Sequence, residues 1–267
     1  MILLPNAKIN IGLNVVSKRE DGFHNIETVF YPIDLKDIIE FIPSNEMSFD
    51  ISGIEIKGDA KNNLVYKVYD LLKQEYSLPK IKIHLHKNIP IEAGLGGGSS
   101  DGAFMLKTLN KYFKLNIPKI KILKYAEQLG SDCPFFIKNE PSFASAKGEV
   151  LEKINISLKG YHIVIIKPNI QISTADAFRN IKTKTRKTNL KEAIDLPVNE
   201  WKDNIFNDFE DFAFAKYPKL KEIKTYLYNI GAEFALTTGS GSAIYGIFTK
   251  KPKLDKYTDC FIWIGLL

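Results

Sequence analysis

Two cysteines, Cys133 and Cys260, are all the thiol chemistry this chain offers. They are too few and too far apart for a zinc site or a disulfide framework. Both are expected as reduced, structural thiols, with Cys133 marked out by the aspartate before it. No apolar run is long enough to span a bilayer. The opening Met1-Ile2-Leu3-Leu4-Pro5 is too short and too soon polar for a secretory signal, so a cytoplasmic location is expected, with no membrane partner. Internal repeats and low-complexity tracts are lacking. So are an RNA-recognition signature and a lengthy basic stripe. The formal net charge of +6 suits small anionic substrates as well as nucleic acid, and the charges are widely spread. The one dense cationic cluster, Lys182-Thr183-Lys184-Thr185-Arg186-Lys187, reads as a solvated loop.

Glycine, by contrast, is concentrated where it matters. The run Pro90-Ile91-Glu92-Ala93-Gly94-Leu95-Gly96-Gly97-Gly98-Ser99-Ser100-Asp101 has glycine at four of five successive positions, Gly94 to Gly98. Before it, Ile81-Lys82-Ile83-His84-Leu85-His86 alternates apolar and polar residues, the period of a half-buried strand. After it, Met105, Leu106, Leu109, Tyr112 and Phe113 share one helical face. Ser99, Ser100 and Asp101 are expected as N-caps of that helix. The first turn of a helix carries unpaired N–H groups and about half a positive charge. Glycine lets a ligand approach that backbone closely. A phosphate is the ligand such a junction suits. It is not a Walker loop, which needs Lys and then Ser/Thr after its last glycine; Ser99 stands there. Nor is it the dinucleotide fingerprint, because Ser99 occupies the sixth position counted from Gly94.

Four further constellations carry potential chemistry. In the first strand, Ala7, Ile9, Ile11, Leu13 and Val15 share one face, and Lys8, Asn10, Gly12 and Asn14 the other. Lys8 and Asn10 are thus neighbours, about 7 Å apart along the strand, either on a water-facing surface or in a buried polar cleft. Asp21-Gly22 marks a turn. Phe23 and His24 follow it, the one as a core residue and the other as incidental, or the two as a ring and an imidazole that meet a base. In Gly130-Ser131-Asp132-Cys133-Pro134, Asp132 either caps the next short element or accepts a proton from an alcohol beside a phosphate donor. Thr237-Thr238-Gly239-Ser240-Gly241-Ser242 is a second glycine–hydroxyl turn between strands, and by itself could be an ordinary hairpin loop.

The remaining pattern predicts strands to about Ile56, helices over Leu64–Tyr76, Lys119–Leu129 and Pro218–Ile230, and a strongly apolar strand Tyr161–Ile166. The polar stretch Lys182–Asn204, interrupted by Pro197, reads as a mobile excursion. A boundary between two lobes is placed near Lys153.

These pieces, in this order, resemble the GHMP kinase superfamily. Its phosphate loop has the form Pro-x-x-x-Gly-Leu-Gly followed by Ser-Ser, which Pro90–Ser100 matches with extra glycines. Ala7-Lys8-Ile9-Asn10, Asp21-Gly22-Phe23-His24, Gly130–Pro134, Asn207-Asp208-Phe209-Glu210 and Gly239-Ser240-Gly241-Ser242 extend the match from about residue 5 to residue 248. They resemble the branch that phosphorylates a cytidine-diphosphate-linked methylerythritol on the non-mevalonate route to isoprenoid precursors. The resemblance implies an α+β, two-lobed GHMP kinase fold. Residues 1–153 would be a two-layer α/β, ATP-binding lobe like domain 2 of ribosomal protein S5, and residues 154–267 a ferredoxin-like substrate lobe. It implies transfer of the ATP γ-phosphoryl group to a 2-hydroxyl, by a monomer or homodimer.

By the same resemblance, Asp132 would be the catalytic base and Lys8 its charged partner. Pro90, Ile91, Glu92, Ala93, Gly94, Leu95, Gly96, Gly97, Gly98, Ser99 and Ser100 would wrap the ATP phosphates, with Asn63 near the adenine. Asn10 would sit beside the acceptor, Phe23 would stack on cytosine, and His24 would read its edge. Gly239, Ser240 and Gly241 would close the pocket. Mg²⁺ is expected with ATP, its protein ligands unassigned. The alternatives are another kinase of this superfamily, acting on homoserine, mevalonate or a sugar, and more remotely a nucleic-acid-binding protein. Three positions depart from the family pattern. Phe23 replaces a commoner Tyr. Gly102 replaces an Ala and should weaken its helical turn. Glu92 brings a negative charge near the loop, and must point away or reach a cation.

Overall fold

The computed structural model describes residues 1–181 and 189–267. Along the chain come β1 (Ile2–Leu3), β2 (Asn6–Lys18), β3 (His24–Lys36), β4 (Ile38–Pro43), β5 (Ser48–Gly53), α1 (Leu64–Glu75), β6 (Ile81–Lys87), α2 (Gly97–Tyr112), α3 (Lys119–Leu129), α4 (Cys133–Lys138), β7 (Ser142–Ser145) and β8 (Val150–Lys153). There follow β9 (His162–Lys167), α5 (Thr174–Arg179), α6 (Leu190–Ala193), α7 (Trp201–Asn204), α8 (Glu210–Lys216), α9 (Pro218–Asn229), β10 (Phe234–Thr237), β11 (Ile244–Phe248) and β12 (Phe261–Leu266). The mixture is α+β. Among the described residues no helix is long and apolar enough to cross a membrane, and both cysteines are free thiols.

Two compact units account for the contacts. The first comprises Met1–Ala7, Leu35–Ile91 and Gly96–Glu140; the second comprises Lys8–Asp34, Glu92–Leu95 and Pro141–Leu267. Each unit is thus assembled from separate stretches of chain.

In the first unit the sheet runs β1-β4-β6-β5. Its β6 alternates as its sequence requires, with Ile81, Ile83, Leu85 and Lys87 buried. The apolar side chains of that face meet Val65, Val68 and Leu72 of α1 and Met105, Leu106 and Leu109 of α2. Each such side chain, fully withdrawn from water, contributes roughly 1.5–3 kcal/mol. Asn63 starts α1, its Oδ1 accepting the Val65 N–H at 2.9 Å. Gly102 has a packing reason as well as a helical cost. A Cβ there would stand 3.0 Å from the Cβ of Leu64, so α1 and α2 approach closely at this point.

The second unit holds two sheets, β2-β3-β7-β8 and β10-β11-β9-β12. The central strand β9 pairs antiparallel with both β11 and β12. Flanked on both edges and buried, Ile163–Ile166 needs no polar alternation. Helix α9 lays Leu220, Ile223 and Leu227 against Val164, Ile166 and Ile244.

The expectation of a mobile excursion over Lys182–Asn204 is corrected for its second half. The cationic cluster Lys182–Lys187 lies outside the described residues. Beyond it, α6 and α7 form, with Leu190, Ala193, Ile194, Val198 and Trp201 buried. These residues recur at helical spacing, masked by Pro197 and by the charges between them. Trp201 Nε1 donates to the Leu196 carbonyl at 2.8 Å, which satisfies its one polar atom.

Candidate active site

The glycine stretch leaves β6 and enters α2, as its sequence requires, but the helix begins earlier than the serines suggested. Gly96 is the N-cap, at φ 70°, with no side-chain capping bond. Glycine reaches that left-handed conformation without steric cost. Ser99 and Ser100 therefore lie within the first turn, and the Ser100 N–H already bonds the Gly96 carbonyl at 2.9 Å. This corrects the reading of Ser99, Ser100 and Asp101 as caps. No side-chain oxygen competes at the cap for the first-turn N–H groups, which a helix leaves unpaired. A Cβ on Gly98 would meet nothing within 4 Å, so that side of the turn is open.

Beneath this turn lies a buried charge cluster that the sequence reading missed. Lys87 Nζ bonds Asp37 and, at 2.9 Å, Asp101 Oδ2, all three side chains being almost fully buried. Asp37 Oδ1 also accepts the N–H groups of Asn88, at 2.6 Å, and Ile89, at 2.8 Å. One ammonium thus ties the ends of β3 and β6 to the first turns of α2. Gly97 is part of the arrangement, since a Cβ there would stand 2.9 Å from Lys87 Nζ. Burial opposes the Lys87 charge, but Asp101 and Asp37 outweigh it and hold the ammonium above its ordinary range. Burial, partly offset by Lys87 and reinforced by Asp37, pushes the Asp101 carboxyl up to about 8. The only signal in sequence was a lysine closing an otherwise apolar strand face.

The Gly130–Pro134 corner meets the same helical turn. A Cβ on Gly130 would stand 3.5 Å from Cys133 Sγ and 3.8 Å from Ser99 Oγ. Burial pushes the Cys133 thiol up to about 12, against a hydrogen bond with Ser99 that lowers it, so the thiol stays protonated. Asp132 occupies the N-cap position of α4 but makes no capping bond with its side chain. The capping alternative for Asp132 is therefore not the one taken.

In the second unit the polar face of β2 is the buried cleft, not a water-facing surface: Lys8 is 3% and Asn10 2% exposed. Lys8 Nζ donates to Asn10 Oδ1 at 2.5 Å and to the Gly94 carbonyl at 2.9 Å, and lies 5.0 Å from the Phe30 ring centre. Thr238 Oγ1 addresses the same two acceptors, at 3.2 Å and 3.0 Å. Asn10 Nδ2 donates to Thr28 Oγ1 at 2.8 Å, and the Asn10 carbonyl accepts from the Tyr245 hydroxyl at 2.9 Å. The two glycine turns touch backbone to backbone. A Cβ on Gly94 would stand 2.0 Å from the Thr238 carbonyl oxygen, and one on Gly239 3.0 Å from Gly94 Cα. Both positions require glycine. Thr238 belongs to the glycine–hydroxyl turn read in the sequence, whereas Thr28 and Tyr245 carried no signal there beyond their residue types.

The turn after β2 is pinned by the Asp21 carboxylate, which accepts the Phe23 N–H at 3.1 Å. Phe23 is 56% exposed, with Lys147 Nζ 5.0 Å from its ring centre. His24 stacks on Phe178 of α5, ring centres 4.9 Å apart and planes 18° apart. Burial and, less so, Lys18 hold the His24 imidazolium below its ordinary range, so the ring is neutral near pH 7. Phe178 escaped the sequence reading because its partner is far away along the chain. At the other end of α5, Thr174 Oγ1 and Ser240 Oγ are 3.1 Å apart. Glu92 is exposed, and its charge acts on Lys167 without an ion pair between them. Asn63 spends its side-chain oxygen on capping α1.

Comparison with known proteins bears on both units. The family model described as GHMP kinases N terminal domain matches residues 63–140, and that described as GHMP kinases C terminal matches residues 190–259. The chain is similar to a 4-diphosphocytidyl-2-C-methyl-D-erythritol kinase of Bacteroides fragilis, 50% identical over 96% of this chain and 95% of that protein. A protein of the same name from Bacteroides thetaiotaomicron is 50% identical over 100% of both chains. A crystal structure of 4-(cytidine 5'-diphospho)-2C-methyl-D-erythritol kinase superposes with a TM-score of 0.80 at 29% identity, covering 92% of this chain and 90% of that one.

Proposed function

This chain belongs to the GHMP kinases, and we propose that within the family it transfers the γ-phosphoryl group of ATP to the 2-hydroxyl of 4-diphosphocytidyl-2-C-methyl-D-erythritol. The observation that carries the reading is the uncapped first turn of α2, open at Gly98, with the Asp132–Cys133 corner packed against Ser99. It supports a reading in which the fixed positive potential of that turn and the Asp132 carboxylate serve one reaction. Full-length relatives at 50% identity supply the acceptor.

In this reading the first-turn N–H groups of α2 and the stretch Pro90–Ser100 hold the triphosphate, with Asn63 near the adenine. The 2-hydroxyl oxygen attacks the γ-phosphorus, the bond to the β–γ bridging oxygen breaks, and ADP leaves. Asp132 accepts the hydroxyl proton. Such a transfer rests on positioning and on stabilising charge as it develops. Lys8, fixed by Asn10 Oδ1 and the Gly94 carbonyl, supplies a held ammonium for that purpose. His24, stacked on Phe178, and the exposed Phe23 take the cytosine. A neutral His24 offers one donor and one acceptor to a base edge. Asn10, Gly239, Ser240 and Gly241 line the acceptor.

Mg²⁺ is expected to accompany ATP. The described residues contain no group of three or more candidate ligands, and Mg²⁺ commonly needs just one or two carboxylates. When bound it would offset phosphate charge. Residues 1–153 would serve ATP and 154–267 the substrate, a division on either side of which the two family models fall. The reading includes a cytoplasmic enzyme, monomer or homodimer, without nucleic-acid or membrane partners.

The test is ADP release from a panel of CDP-linked methylerythritol, free methylerythritol, homoserine and mevalonate. Turnover with the CDP-linked compound alone is expected. Equal turnover with mevalonate, or none with the CDP compound, defeats the proposal.

A further inference from the structure

The motif Asn207-Asp208-Phe209-Glu210 has so far been given no task. It lies between α7 and α8 in the second unit, and three of its side chains bond elsewhere in that unit. Asp208 Oδ2 accepts the Val15 N–H at 2.8 Å, and the Asp208 N–H donates to the Leu13 carbonyl at 2.9 Å, which fixes the middle of β2. Glu210 Oε1 accepts from Thr237 N at 3.0 Å and Thr237 Oγ1 at 3.1 Å. Asn207, only 4% exposed, sends both Nδ2 hydrogens to the second glycine turn: to the Thr237 carbonyl and to the Gly239 carbonyl, each at 2.8 Å. Its Oδ1 accepts the Phe209 N–H at 3.0 Å, which leaves the carboxamide no freedom to flip.

The two carbonyls that Asn207 grips flank a single residue, Thr238. That residue's hydroxyl addresses Asn10 Oδ1 and the Gly94 carbonyl, the same two oxygens that hold Lys8 Nζ. The one hydroxyl hydrogen is shared between these two oxygens, and Thr238 Oγ1 in turn accepts the Asn10 N–H at 3.0 Å. Moving Asn10 Oδ1 or the Gly94 carbonyl therefore moves one of the acceptors that set where the lysine ammonium stands.

We infer that Asn207 is a positioning residue for the Lys8 ammonium, acting through the backbone of Thr238 and the Thr238 hydroxyl. The inference rests on the proposed phosphoryl transfer for its effect on rate, but not for the relay itself. Asn207→Asp turns two donors into a carboxylate facing two carbonyl oxygens, and so releases the turn. Thr238→Val removes the shared hydroxyl with little change of volume; Thr238→Ser keeps it.

Displacing a reacting group by about 1 Å can cost on the order of 10²-fold in rate. Asn207→Asp and Thr238→Val are each expected to lower kcat by about that factor, with the KM for ATP changed less than about threefold. Thr238→Ser should restore most of the turnover. The double variant should be no slower than the slower single one, because both changes break one relay. Hydrogen exchange supplies a readout independent of activity. The Lys8 N–H donates to the Leu95 carbonyl and the Ala243 N–H to the Ala93 carbonyl. Both amides should exchange faster in Thr238→Val.

If Asn207→Asp does not fold, the Thr238 pair carries the test unchanged. An active wild type whose kcat and exchange are both unmoved by Thr238→Val overturns the inference. So does a rate loss that merely follows the loss of folded protein, or one equally large in Thr238→Ser. A wild type inactive on the CDP compound, with exchange still raised by Thr238→Val, defeats the proposed function and leaves the relay standing.

Discussion

Replacing Asp101 by asparagine should make this protein more stable in mild alkali. The side chain is 1% exposed, with Oδ2 on Lys87 Nζ and no hydrogen-bond partner for Oδ1. An unfolded aspartate loses its proton near pH 3.9. In the folded chain burial penalises the carboxylate, Lys87 offsets part of the penalty, Asp37 adds to it, and the proton is held to about 8. Between those values the folded state binds the extra proton, so stability falls as pH rises. Below the window nothing is lost, and above it the loss is complete. The slope is about 1.4 kcal/mol per pH unit, or roughly 3–4 kcal/mol between pH 5 and pH 9. Asparagine keeps an oxygen for Lys87, cannot ionise, and leaves the Lys87–Asp37 pair intact. Urea unfolding of both proteins at pH 5, 7 and 9, read as a difference, removes the other titrating groups. The two should differ by less than about 1 kcal/mol at pH 5, and the variant should lead by roughly 3 kcal/mol at pH 9. A flat difference, or a variant weaker at every pH, would mean that the carboxylate is ionised and holds Lys87. The account of the cluster would then be wrong.

Three further outcomes are expected. Asp132→Asn should cut kcat by about 10²–10⁴-fold while ATP binding, followed by calorimetry, stays near normal; unchanged turnover removes Asp132 from the chemistry. Phe178→Ala and His24→Ala should each raise the KM for the cytidine compound far more than that for ATP, and equal effects on both would speak against base recognition at this pair. Gly98→Ala should add about 0.5–1 kcal/mol to stability, since its Cβ meets nothing. It should also raise the KM for ATP, because the methyl group projects from the turn proposed to take phosphate; a gain in stability with an unchanged KM would place the phosphates elsewhere.

The local part of this molecule was legible in its residues. The alternation of Ile81–His86, the 3.6-residue spacing in α1, α2, α3 and α9, and the glycines at the β6–α2 junction are each written within a dozen neighbouring positions, where backbone geometry dictates the pattern. The helix start was misjudged by a few residues because Gly96 can adopt a left-handed conformation that a serine N-cap does not need. The helices at Leu190–Ala193 and Trp201–Asn204 were hidden because Pro197 broke a spacing that only burial makes visible.

What the chain alone could not decide is which polar groups meet. Lys8 and Asn10 read first as a wet polar surface, with a dry cleft as the rival. The choice fell to Thr238 and Tyr245, more than 200 positions away, which provide partners that make burial tolerable. Lys87 looked like the end of a strand until Asp37 and Asp101 surrounded it, and His24 gained its aromatic partner from α5. Periodicity is local because backbone geometry is local. A buried charge or hydrogen bond depends on whatever the fold brings alongside it, and that is settled only when distant stretches of chain pack together.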